Sequence, residues 1–264
     1  MADPIEQFQV KPIEGLDFGT VVLPLIGESR LAFTNSHLAM TVSFLLVVGL
    51  LALGTSNARV VPGRLQGAVE QLFGLINGVT DSMIGHEGRK YFPFVFTLFM
   101  FILAMNLLGM FLTFTATSQL AVTGTLAAIT ILLVIGIGFA KHGLGFFKLF
   151  WPMSAPLAIR PAVGLIEFIS FLLRPITLSL RLFGIMLGGH IALKIFAIFV
   201  VGLGSLAFSG EALGLLGLPV AALSLGMVVG ITALEFLVAF LQAFVFAVLT
   251  SIYLNDVVNL GHGH

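Results

Sequence analysis

Apolar residues run almost unbroken along most of this chain, in stretches parted by short polar connections. The first stretch is Leu31 to Leu53, entered through Thr34-Asn35-Ser36. The second is Tyr91 to Phe114, rich in Phe and holding one buried amide, Asn106. The third runs from Leu120 to Ala140. Each is close to the roughly 20 residues a helix needs to cross a bilayer core. Two longer stretches follow, Pro161 to Leu203 and Pro219 to Leu254. As continuous helices they would be about 60 Å and 50 Å long. The hydrocarbon core is only about 30 Å thick, so they must tilt, kink or break. Pro175 is a candidate kink. Gly202, Gly204, Gly210, Gly214 and Gly217 mark the turn between the two.

Residues 59–90 carry a different pattern. Leu65, Leu72, Ile76, Val79 and Met83 recur at helical spacing, with Gln66, Glu70, Asn77 and Asp81 on other faces. That predicts an amphipathic helix lying on the membrane, or else a loop helix packed on other spans. Residues 1–30 are mixed and polar and read as an external tail or short amphipathic element. They lack a basic region followed by an apolar run, so no cleavable signal peptide is expected. The end, Gly261-His262-Gly263-His264, reads as a solvated tail; two terminal histidines make a poor metal site.

Composition agrees with the pattern. Of 264 residues, 58% are hydrophobic and 9% charged, with a mean hydropathy of +1.13. Soluble domains carry about 25% charged residues. The fold class expected is therefore an all-α polytopic membrane protein. About five helices would cross the membrane, beside one interfacial amphipathic helix, with the last two long, strongly tilted and packed as a hairpin. We expect one membrane domain over 1–264, with an external tail (1–30), peripheral spans and the interfacial helix (31–160), and a long hairpin (161–260). The formal net charge is zero, so nothing points to nucleic acid. The chain has no cysteine, which excludes disulfide and thiol chemistry.

Basic residues set the expected orientation. Arg59, Arg64, Arg89, Lys90, Lys141, Lys148 and Arg160 fall in the first-to-second and third-to-fourth connections. Lys141 to Arg160 also holds Trp151, Pro152 and Pro156, a composition that suits a membrane interface. The second-to-third connection has no basic residue, and the fourth-to-fifth has only Glu211 as a charge. Positive-inside reasoning puts the basic loops in the cytoplasm, the N-terminus outside and the C-terminus inside. No internal repeat is visible, which weakens an inverted-repeat transporter.

The chemistry is concentrated in Arg174 to His190. A charge at the bilayer centre costs at least about 2.5–3.5 kcal/mol, and arginine cannot shed its proton. Arg174 is nearer a membrane surface, where its stem could snorkel, but Arg181 is too deep for that. The first long stretch also has Glu167, Thr177, His190 and Lys194; the second has Glu235, Gln242 and Asp256. In an antiparallel pair, positions at one depth have numbers adding to a constant. His190 with Glu235, Arg181 with Gln242, and Glu167 with Asp256 give nearly the same total, so polar groups are expected to meet at three depths. On the helical wheel Arg181 shares a face with Arg174, Thr177, Gly184 and Gly188. The two glycines either let a foreign backbone approach beside the arginine or pack on the chain's own second helix. His190 is rotated about 180° from Arg181, about 13 Å further along.

Two polar groupings thus flank a fixed central cation. Intramembrane ionisable residues mark ion paths, and a paired imidazole can titrate near neutral pH. A permanent positive charge between two half-paths blocks a direct proton leak and stabilises a carboxylate brought beside it. The alternative is that His190 and Glu235 form only a structural pair.

Ser179-Leu-Arg181-Leu-Phe-Gly184, then Gly188-Gly-His190, then Leu241-Gln242-Ala-Phe244-Val-Phe246, resemble subunit a of F-type ATP synthases, the stator half of the proton channel. The likeness runs from Thr34-Asn35 to the tail and is strongest from Ile166 to Tyr253. It implies a proton-translocating subunit that binds no nucleotide, cofactor or metal. Its partners would be a ring of c subunits, the b-subunit peripheral stalk, the other synthase subunits and the lipid of a bacterial inner membrane. Arg181 would face the ring carboxylate. Gly184 and Gly188 would allow close approach, and His190, Glu235, Gln242, Glu167, Thr177, Asn106 and Asp256 would line the proton path. The acid and histidine of many bacterial members are exchanged here, as His190 and Glu235, an arrangement similar to mitochondrial forms. Two positions depart from the family's pattern. Ile185 stands where the family usually has Asn, so an outer path that depended on that Asn would need another polar group or water there. Gly109 stands where some members carry an acid. Two other classes remain open: a secondary transporter that binds an anion at Arg181, and a purely structural membrane scaffold.

Overall fold

The computed structural model describes residues 12–23, 27–56, 59–111, 115–150, 159–207 and 214–260. Strands β1 (Pro12–Leu23) and β2 (Gly27–Thr34) precede six α-helices: α1 (Asn35–Thr55), α2 (Arg64–Ile84), α3 (Gly88–Phe111), α4 (Leu120–His142), α5 (Arg160–Ala207) and α6 (Gly214–Val258). Five helices are long and apolar enough to cross a membrane: Asn35–Thr55, Gly88–Phe111, Leu120–Phe147, Arg160–Gly202 and Pro219–Val258. The membrane part is all-α, as the hydrophobic pattern predicts.

The described part of the N-terminal region is a β-hairpin. β1 and β2 pair antiparallel, with Leu23 opposite Gly27, Thr20 opposite Arg30 and Pro12 opposite Thr34. Leu31, Ala32 and Phe33 belong to this hairpin and not to the first span. The helix starts at Asn35, whose side-chain oxygen accepts from the Ser36 N–H at 3.0 Å. His37 Nδ1 accepts from the Thr34 N–H at 3.3 Å. These two bonds occupy polar groups at the point where strand gives way to helix.

Both long stretches are single helices, of 48 and 45 residues. Pro175 lies inside α5 without ending it, and Pro219 lies inside α6. At these lengths, about 70 Å each, neither fits upright in the bilayer core. The Gly210 and Glu211 expectations, the Trp151, Pro152 and Pro156 segment, and the His262–His264 tail lie outside the described residues.

The chain forms two compact units. The first comprises 1–42, 105–119 and 183–241, and the second 43–104, 120–182 and 242–264. In the first, Asn106 Nδ2 donates to the Ala239 carbonyl at 3.1 Å, tying the end of α3 to α6. Phe111 meets Phe236 edge to face at 5.8 Å.

In the second unit α2 packs on α3 through Phe73, whose ring centroid is 4.6 Å from Phe92 and 5.6 Å from Phe96. The buried face of α2 is Val69, Ile76, Thr80 and Ile84. Leu65 and Met83, expected on that face, are 45% and 40% exposed. Asn259 Nδ2, just past α6, donates to the Ile84 carbonyl at 3.1 Å and so caps the end of α2. Lys141, in the last turn of α4, pairs with Glu87 and holds that carboxyl below the usual carboxylate range. Thr123 of α4 and Ser179 of α5 share a buried hydrogen bond at 3.2 Å. Gly138 lets α4 approach closely: an added Cβ would be 2.5 Å from Phe146 and 2.8 Å from Val257.

Candidate proton-path residues

His190 lies on α5 and Glu235 on α6, both in the first unit. His190 Nδ1 is 3.9 Å from Glu235 Oε2, and the side chains are 11% and 9% exposed. This is ion-pair reach, about 1 Å beyond a hydrogen bond. Neither Glu235 oxygen has a hydrogen-bond partner among the described residues. An unsatisfied buried acceptor is costly. Lys194 lies one turn beyond His190.

Gly189 leaves the room that the Glu235 side chain occupies against α5. A Cβ at that position would be 2.5 Å from Glu235 Oε1. Gly184 and Gly188, by contrast, meet nothing within 4 Å. The contact glycine between the chain's own helices is therefore Gly189, and the other two point into open space.

The opposite ring nitrogen of His190 is also held. His190 Nε2 is 2.9 Å from Thr115 Oγ1, and that hydroxyl donates to the Gly109 carbonyl at 3.1 Å. Thr115 opens the turn Ala116–Ser118 and is 3% exposed. Gly109 makes room for it: a Cβ there would be 2.8 Å from Thr115 Oγ1. The position where some relatives of the expected family carry an acid is here filled from across the turn by a threonine. Sequence reasoning missed Thr115. The available signal was the polar run Thr115, Thr117, Ser118 between two apolar spans.

The second unit holds a different grouping. Arg174 Nη1 donates to Asp256 Oδ2 at 2.8 Å, with side chains 20% and 29% exposed. The guanidinium also lies 4.9 Å from the Tyr253 ring centre and 5.5 Å from that of Phe171. Cation–π contact and ion pair together fix Arg174. The ion pair found for Asp256 is thus with Arg174, where the expected meeting was with Glu167. Glu167 is half-buried and makes no hydrogen bond or ion pair among the described residues. Gln242 is 9% exposed, and no hydrogen bond joins it to Arg181. Of the three expected meetings, His190 with Glu235 comes within ion-pair reach.

Arg181 is exposed and has no carboxylate partner among the described residues. Its helical neighbours Thr177, Gly184 and Gly188 are exposed too. Thr177 spends its hydroxyl on its own helix, donating to the Leu173 and Arg174 carbonyls at 3.0 Å. An arginine on an open face of an otherwise apolar helix needs a counter-charge from elsewhere.

Comparison with known proteins fits this arrangement. The family model described as ATP synthase A chain matches residues 37–255. ATP synthase subunit a of Agrobacterium fabrum (strain C58) is 49% identical over 261 residues, 98% of this chain and 99% of that one. That of Rhodopseudomonas palustris (strain BisB18) is 47% identical over 263 residues, 99% and 100% of the two chains. That of Hyphomonas neptunium is 49% identical over 255 residues, 96% and 95%. With the family match running from residue 37 to 255 and relatives 47–49% identical over nearly the whole chain, the chain belongs to the ATP synthase A chain family, that of subunit a.

Proposed function

We propose that this chain is the stator half of the proton path in the membrane sector of an F-type ATP synthase. It would work beside a ring of c subunits and the b-subunit stalk, in a bacterial inner membrane with its N-terminus outside. The observation that carries this reading is the exposed Arg181 on a helix that elsewhere holds a buried His190–Glu235 pair.

Protons enter from outside by a path involving Glu235 and, beside it, His190. An approach of about 1 Å brings Nδ1 and Oε2 to hydrogen-bond distance, where a proton passes between them. The proton then neutralises a ring carboxylate, which can travel through lipid once uncharged. On the inner side, Glu167 takes the proton as the ring carboxylate ionises. Arg181 attracts that ionised form and, as a permanent cation, blocks direct passage between the two paths. Gly184 and Gly188 give the ring backbone room beside it. Asn106 and Gln242 are polar supports along the path, and Thr177 adds a hydroxyl near Arg181. Asp256 acts through Arg174, keeping that cation off the arginine face. The chain moves protons and does no nucleotide chemistry.

Replacing Glu235 tests the path. In membranes containing the whole complex, Glu235→Leu should abolish ATP-driven proton pumping with assembly intact. Full coupled pumping in that variant would remove Glu235 from the path. An anion carrier built on Arg181 would instead show substrate uptake by the purified chain without any ring partner.

A further inference from the structure

The hydroxyl of Thr115 has one proton and two neighbours. The Gly109 carbonyl, 3.1 Å away, can only accept. The proton of Thr115 is therefore directed at Gly109, and its oxygen is left to accept from His190 Nε2, 2.9 Å away. We propose that Thr115 is a positioning residue that holds His190 in the Nε2–H tautomer, so that Nδ1 presents its lone pair to Glu235. This rests on the proton path proposed above and assigns a direction to its outer end.

The surroundings make Thr115 a fixed acceptor. Its own carbonyl receives both the Ser118 N–H at 3.1 Å and the Ser118 hydroxyl at 2.6 Å. Ala116, Thr117 and Ser118 are all buried. On the far side Gly109 has no side chain to displace the threonine, and an added methyl would do so. The arrangement is that of a histidine whose reactive nitrogen is chosen by the bond at its other nitrogen.

The consequence is a one-sided exchange. When the Glu235 O–H bond breaks and an Nδ1–H bond forms, the products are a carboxylate and an imidazolium. The imidazolium keeps its Nε2–H on Thr115, so the same Nδ1 proton is the one it returns. His190 then acts as a holding site beside Glu235, with no through-ring transfer. The hydroxyl of Thr115 also supplies polarity at the outer end of the path, where Ile185 offers none.

The test uses the whole complex with its histidines labelled with nitrogen-15, the His190 signal being taken by difference against a His190→Gln variant. Neutral His190 should show a protonated Nε2 and a bare Nδ1. Thr115→Val keeps the shape and removes the hydroxyl. It should mix the tautomers and lower ATP-driven pumping about tenfold, the loss of one hydrogen bond at the ring. Thr115→Ser should restore both. A protonated Nδ1 in the unaltered complex overturns the inference. So does full pumping by Thr115→Val with the tautomer unchanged, and in either case loss of pumping in Glu235→Leu would leave the path standing. Full pumping by His190→Gln defeats the path itself, and the role of Thr115 with it.

Discussion

The place of the Glu235 carboxylate beside α5 depends on a glycine, Gly189. Its missing Cβ leaves the space that the Glu235 carboxylate occupies. Gly189→Ala should push that carboxylate from His190 and cost about 1–3 kcal/mol of packing strain. Thermal dissociation of the complex would read the strain, and pumping should fall along with it; unchanged pumping would show that the 3.9 Å arrangement is not needed. Arg181, His190 and Glu235 were legible in the sequence because a charge inside an apolar run has no cheap explanation. Gly189 was not legible. Nothing in the sequence distinguishes it from Gly184 and Gly188, and only the facing helix decides which of the three is pressed upon. Thr115 escaped for a related reason, since its partners come from residues six and 75 positions away.

At the scale of elements, numbering arithmetic on the two long helices anticipated the approach of His190 to Glu235 but not the pairing of Arg174 with Asp256. Adding positions assumes straight antiparallel helices and side chains that reach sideways. Glu235 and His190 are short enough to obey. The long stem of Arg174 does not: it finds Asp256 some five positions away from the register of the other pair, about 7.5 Å along a helix. The chain thereby satisfies one arginine internally and leaves the other, Arg181, exposed. Asp256→Asn should cost about 1–2 kcal/mol, the lower part of the range for losing a charged partner, because each side chain is partly exposed. The complex should dissociate at lower temperature while passive proton leak stays unchanged. A leak comparable to that of an Arg181 variant would instead place Asp256 in the barrier. The helices themselves were readable from length and hydropathy alone. The N-terminal hairpin was not, because its strands alternate too irregularly, with register shifts between Pro12 and Asp17 and between Asp17 and Thr20.

For the whole molecule, five spans and the family match make this a multi-pass membrane protein of the synthase's membrane sector. α5 is the least covered span, with 11% of its most apolar window buried, against 61% for Gly88–Phe111. That bare helix, with its exposed arginine, is the face to which we assign the ring in our proposal. Composition announced the class, and the Arg181 motif announced the family. What neither could supply was which polar residues are consumed within the chain and which are left for a partner. That division is decided by contacts between distant positions.

The direct test of the account is Arg181→Ala in assembled membranes, with ATP-driven pumping and passive proton leak measured together. The account predicts lost pumping and increased leak with the complex intact, since the variant removes both the partner of the ring carboxylate and the barrier between the paths. Normal pumping with a tight membrane would contradict it.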